Sequence, residues 1–239
     1  MTAMTRMRWG LALVAAVALM AGCAPVAGAG SGSSPDPSAT EGFGLVPDVE
    51  PASTDPDAPL VGFYGDSYTL GTGASAREKR WSTIVCQKRG WNEFNPSVNG
   101  LGFVNNRRDL DLPQLIIDQR PDIVIVTMGL NDNFSYARVP DRQIRDAIAG
   151  DLARLAATGA RIVVVEPFWY TDRRPESVEV IIGWVHDEAD AVGADWISGA
   201  SRWLEGHPEW MASDGLHPND AGYAQLATHM DAELTALGL

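Results

Sequence analysis

Residues 122–168 read DIVIVTMGLNDNFSYARVPDRQIRDAIAGDLARLAATGARIVVVEPF, and this stretch decides the fold class. It opens on a β-branched apolar run, Asp122 to Met128, and closes on another, Arg161 to Phe168. Neither run alternates apolar with polar residues, which is the pattern of strands covered on both faces. Between them Ile144, Ile148, Leu152 and Leu155 recur at spacings of four, four and three before Gly159. That is the period of a helix stopped by a glycine. A strand, a helix and a second strand of the same kind predict a β-α-β unit with parallel strands.

Working outward, Leu60 to Tyr64 (LVGFY) is a further buried strand, and from Asp220 the residues Tyr223, Leu226, Ala227, Met230, Leu234 and Leu237 share a helical face. Weaker helical patterns lie at Arg77 to Arg89, Leu112 to Gln119 and Glu176 to Val192, with strands expected near Phe94 to Val98 and Asp195 to Ile197. The sum is about five β-α repeats: an α/β domain over residues 60–239, with a mostly parallel sheet and helices on both faces. In such sheets the chemistry sits in loops at the carboxyl ends of the strands.

The chain ahead of the domain reads differently. Arg6 and Arg8 precede the uncharged run Trp9 to Met20, too short to span a bilayer and laid out as a secretory signal over residues 1–22. Met20-Ala21-Gly22-Cys23 resembles a bacterial lipobox, which implies lipidation of Cys23 and an extracytoplasmic protein held to the membrane by its lipid; an ordinary cleaved signal would instead give a secreted protein. Residues 23–59 are crowded with Gly, Ser, Ala, Pro and Asp, a composition that cannot offset chain entropy and predicts a disordered tether. A formal net charge of −13 over 239 residues argues against nucleic acid as a partner. Two cysteines, Cys23 and Cys86, provide no disulfide framework and no cysteine-rich zinc site, and Cys86 reads as a small buried hydrophobe.

Three polar clusters fall where strand ends should be. They are Gly65-Asp66-Ser67 after the first strand, Gly129-Leu130-Asn131-Asp132 after the third, and Asp214-Gly215-Leu216-His217-Pro218 before the last helix. A serine nucleophile needs a base, the base needs an orienting group, and the oxyanion needs donors. Ser67 at a strand-to-helix turn has its amide near a helix N-terminus, where developing negative charge is favoured. His217, three residues after Asp214, can take its orientation from that carboxylate.

GDSYTLG (65–71), GLND (129–132) and DGLHP (214–218) resemble blocks I, III and V of the SGNH/GDSL hydrolases, in the family's order, within a region from about Leu60 to Leu239. The resemblance implies a flavodoxin-like three-layer α/β/α fold and a five-stranded sheet. It also implies Ser67 as nucleophile, His217 as base and then acid, Asp214 as its orienter, and an oxyanion hole from the Ser67 amide, a block II glycine amide and the Asn131 side chain. For the glycine, Val98 to Phe103 offers Gly100, the preferred assignment, and Gly102. No metal and no organic cofactor is implied.

Each residue also has a plainer reading. Ser67, Asp214 and Asn219 are good helix caps, and Asn131 is a good turn residue. Asp66 and Asp132 have no required chemical step and read as hydrogen bonders that hold their loops. His186, His207 and His229 lack metal-ligand spacing. Gly71 to Ala76 matches a dinucleotide fingerprint only formally, since it starts several residues past the strand end. Trp169, Tyr170, Trp203 and Trp210 stand in or near the loops, where they could line an acyl or sugar pocket or pack the rim. The expected activity is hydrolysis of a small-molecule or glycan ester, short acyl groups on carbohydrate foremost. A lipid esterase, an acyltransferase on the same residues and a non-catalytic binding module are the alternatives. Oligomeric state stays open.

Overall fold

The computed structural model describes residues 55–239. The signal segment, Cys23 and most of the tether lie outside the described residues. Residues 55–59, which the sequence assigns to the tether, form a turn held by Asn92, whose side-chain amide donates to the Asp55 and Ala58 carbonyls.

Five strands follow: β1 (Leu60–Tyr64), β2 (Asn92–Phe94), β3 (Ile123–Val126), β4 (Arg161–Val165) and β5 (Asp195–Ile197). All four pairings are parallel, in the order β2-β1-β3-β4-β5. This is the flavodoxin-like order expected of the SGNH fold, and its switch point, the place where such sheets bind ligands, lies between β1 and β3. The helices are α1 (Ser67–Leu70), α2 (Trp81–Arg89), α3 (Leu112–Gln119), α4 (Asp141–Ala156), α5 (Glu176–Ala191) and α6 (Asp220–Ala236).

Strand pleating explains the continuous apolar runs. Val61, Phe63, Ile123, Ile125, Val163 and Val165 pack in one core with Trp81 and Val85 of α2 and Leu226 and Met230 of α6. Their neighbours Val124, Val126, Ile162 and Val164 pack in a second core with Ile116 of α3, Ile148 and Leu152 of α4 and Val185 of α5. Full burial of each such side chain is worth ~1.5–3 kcal/mol. Cys86 is 2% exposed in the first core, as its reading as a buried hydrophobe requires.

Two expectations needed correction. The second strand pairs over Asn92–Phe94 rather than Phe94 to Val98, because Pro96 has no amide to donate and the Asn95 side chain caps the Ser97 amide instead. The helix expected from Arg77 is broken: a 3-10 turn covers Arg77–Lys79, Arg80 is extended, and α2 begins at Trp81. Arg80 turns inward to a buried ion pair, with Nη2 3.0 Å from Glu93 Oε1 on β2. Ser82 and Thr83 also donate to that carboxylate. A buried charge pair of this kind demands full satisfaction of both partners, so the surrounding backbone is shaped around it.

Candidate active site

The chain leaves β1 through Gly65, where a Cβ would lie 2.4 Å from the Thr69 side chain, so only glycine permits this close return. Asp66 then caps α1, its Oδ1 accepting from the Tyr68 amide at 2.9 Å. Ser67 is therefore the first residue of a short helix, and its amide has no acceptor among the described residues. Gly71, left-handed at φ 95°, closes the helix. Two tyrosines tie α1 to the C-terminal part of the chain: Tyr68 Oη donates to the Leu216 carbonyl at 2.6 Å, and Tyr223 Oη to the Thr72 carbonyl at 2.7 Å.

Leu216 belongs to a loop that the chain clamps shut. Met211 and Pro218 form an antiparallel bridge, the Ala212 amide donates to the His217 carbonyl, and Asn219 Nδ2 donates to the Glu209 and Met211 carbonyls. Within it His217 Nδ1 stands 2.7 Å from Asp214 Oδ2, while Asp214 Oδ1 accepts from the Leu216 and His217 amides at 2.9 and 3.0 Å. Burial pushes the Asp214 carboxyl up, but the hydrogen bonds from the His217 amide, the His217 ring and the Leu216 amide outweigh it and hold the group down to about 2. An ionised Asp214 requires the proton of the neutral ring on Nδ1, which leaves Nε2 as the basic nitrogen. The His217 ring lies 6.1 Å, centroid to centroid, from Tyr68, the residue after Ser67. No hydrogen bond joins Ser67 Oγ to His217 among the described residues; in enzymes such contacts often tighten only with substrate.

The loops after β2 and β3 are held by two buried carboxylates, Asp66 and Asp132. Asn131 Nδ2 donates to Asp66 Oδ2 at 2.9 Å and to the Leu101 carbonyl at 3.0 Å, so both its hydrogens are engaged. Burial pushes the Asp66 carboxyl up to about 7, against the charge-favouring bond from the Tyr68 amide, and neighbouring Asp132 adds to the rise. Asp132 accepts from the Phe103, Val104 and Asn105 amides at 2.8, 2.8 and 3.2 Å, and burial likewise raises its carboxyl. A Cβ on Gly102 would come within 2.6 Å of both Asp132 oxygens, so this glycine serves the close approach. The Gly102 amide is spent on the Asn105 carbonyl at 2.9 Å, whereas the Gly100 amide has no acceptor among the described residues.

Ser67, Asn131, Asp214 and His217 thus lie in the three polar loops and Gly100 in the loop after β2, and Asp66 and Asp132 are hydrogen bonders that hold their loops. Of the four loop aromatics, Tyr170 lines a cavity together with Ala212, Ser213 and Gly215. Trp169 is in the first core, Trp203 stacks on His229, and Trp210 stacks on His207. His207 lines the same cavity as Tyr170, and no spacing in the chain signals that.

The sequence model of the GDSL-like lipase/acylhydrolase family matches residues 63–225. GDSL lipase Rv0518 of Mycobacterium tuberculosis is 28% identical over 181 residues, covering 70% of this chain and 78% of the relative. Among solved structures, the psychrotrophic esterase EstA of Pseudoalteromonas sp. is similar with a TM-score of 0.60 at 16% identity, over 75% of this chain and 98% of that one. The acetylxylan esterase Axe2 of Geobacillus stearothermophilus has a TM-score of 0.58 at 19% identity, over 73% and 93%. These two structural likenesses are likenesses of fold.

Proposed function

The chain belongs to the GDSL-like lipase/acylhydrolase family and is a carboxylic ester hydrolase, and on that premise we propose that it works through an acyl-enzyme formed on Ser67. One observation carries the reading: the Asp214–His217 pair, 2.7 Å apart, sits on a loop that Tyr68 fastens to the helix beginning at Ser67. Ser67 Oγ attacks the ester carbonyl carbon as its proton passes to His217 Nε2. The carbonyl π pair moves onto oxygen, and the resulting oxyanion accepts from the Ser67 and Gly100 amides, neither of which has an acceptor among the described residues. Asn131 Nδ2 is the third donor, with the oxyanion competing for the hydrogen now given to the Leu101 carbonyl. Collapse expels the alcohol, which takes the proton from Nε2; water then repeats the sequence and frees the acid.

The spent amide of Gly102 supports Gly100 as the block II donor. The substrate reading is a short acyl group, chiefly acetyl, on a carbohydrate or cell-envelope alcohol, met outside the cytoplasm by a protein anchored through lipid on Cys23. A fold shared with an acetylxylan esterase is consistent with that reading, while a relative named as a GDSL lipase favours lipid esters as the second. Hydrolysis of p-nitrophenyl acetate, butyrate, octanoate and palmitate, with Ser67→Ala as control, tests both. Serine-dependent turnover concentrated on acetate and butyrate is expected. Preference for octanoate and palmitate would move the assignment to lipid esters. Release from the membrane fraction in Cys23→Ala tests the anchor.

A further inference from the structure

Beside the Asp214–His217 loop lies a cavity of about 540 Å³, within the range of small-ligand sites. Its walls are Tyr170, Asp172 and Arg173 from the loop after β4, and His207, Met211 and Ser213 from the segment before α6. Both walls are braced from behind. Trp169 Nε1 donates to Thr171 Oγ1 and the Arg173 carbonyl at 3.1 and 3.0 Å, and Asp172 Oδ1 accepts from the Gly206 amide at 2.9 Å. The His207 ring lies flat on Trp210, centroids 3.5 Å apart, with Nδ1 2.8 Å from Glu209. The site is thus formed before any ligand arrives.

Its position says which half of an ester it can take. Ser213 and Gly215, on either side of Asp214, line it, while none of the oxyanion donors does. The leaving alcohol must receive its proton from His217, so the alcohol lies towards the His217 loop and the acyl group towards the oxyanion donors. Its lining says what alcohol. Tyr170, His207 and Met211 offer apolar faces, and Asp172, Arg173 and Ser213 offer donors and acceptors at the exposed rim. A sugar ring matches both, with an apolar C–H face and a hydroxyl edge; an aliphatic chain would desolvate the rim groups without pairing them.

Resting on the ester-hydrolase reading, we propose that this cavity is the subsite for the alcohol half of the substrate and that it takes a carbohydrate ring. Tyr170 and His207 pack on the ring, and Arg173 and Asp172 bind its hydroxyls. The test uses the full-length protein, Arg173→Ala and Tyr170→Ala, and two acetyl esters: acetylated xylo-oligosaccharide and p-nitrophenyl acetate. The ratio of kcat/KM for the glycan ester to that for the nitrophenyl ester is expected to fall roughly tenfold in each variant, the size of one or two lost ligand contacts, through KM. Arg173 is exposed, so its variant tests the idea even if Tyr170→Ala folds poorly. An unchanged ratio in Arg173→Ala, or an equal loss on both esters, overturns the proposal. Calorimetric binding of unacetylated xylo-oligosaccharide to Ser67→Ala separates the two layers. If wild type cleaves no ester, the hydrolase reading fails, and binding that Arg173→Ala abolishes still supports the subsite. If that oligosaccharide does not bind, the subsite is refuted whatever the esterase result.

Discussion

Asp66 and Asp214 are carboxylates within three residues of Ser67 and His217, and their surroundings drive them in opposite directions. Asp66 is 1% exposed at the sheet's switch point, and burial raises it to about 7. Asp214 is half exposed on a clamped loop, and three hydrogen bonds to its charge hold it at about 2. The first region is a dry platform that positions donors; the second is a wet rim that keeps a fixed negative charge beside an imidazole. Serine chemistry needs both, and the same residue type supplies them because solvation differs.

The comparison can be broken most sharply at the rim. Asp214→Asn keeps the shape of the loop but lets the imidazole take the wrong tautomer, so kcat should fall on the order of 10⁴-fold with an unaltered circular dichroism spectrum. On the platform, Asn131→Ala should cost roughly 10²–10³ in kcat with little change in KM, the effect of one oxyanion donor. Away from both regions, Leu152→Ala in the second core should lower stability by about 2–5 kcal/mol in urea unfolding and leave KM alone.

Asp66→Asn sharpens the contrast through pH. Native Asp66 keeps its proton up to about 7, while the unfolded chain releases it near the ordinary value of 3.8. Between those values the native state binds more protons, so this group's stabilisation is fully present below about 4 and is lost as pH rises through 7. Asp66→Asn should flatten that slope, leaving the part due to Asp132, whose carboxyl is also raised. Asp214 acts the other way: its contribution is present above 3.8 and is lost as pH falls through about 2. Denaturant titrations across this pH range, on wild type and both variants, check the two signs. The smallest effect is expected in kcat of Asp66→Asn near pH 8, roughly tenfold, since the amide loses one acceptor but Asn131 keeps its bond to the Leu101 carbonyl.

How much of this was legible in the chain follows from the range of the interactions. Ile123–Val126 and Arg161–Val165 announced themselves because both faces of each strand are apolar. Strand β2 and the start of α2 were misread because Glu93 and Arg80 are charged residues inside the protein, and hydropathy patterns put such residues outside. Asp214 and His217 could be paired on paper because three residues separate them. The Asp66–Asn131 bond spans 65 positions and the cavity is assembled from two loops, so neither leaves a local signal. The free amide of Gly100 and the spent amide of Gly102 are equally invisible in a sequence that offers both glycines.

The central claim is that Ser67 carries the acyl group. Protein quenched during turnover of p-nitrophenyl acetate and digested for mass spectrometry should show one acetyl group on the peptide containing Ser67, absent from Ser67→Ala, which should also have lost turnover. Wild-type rates in Ser67→Ala, or acetyl found only on another residue in active protein, would contradict the account.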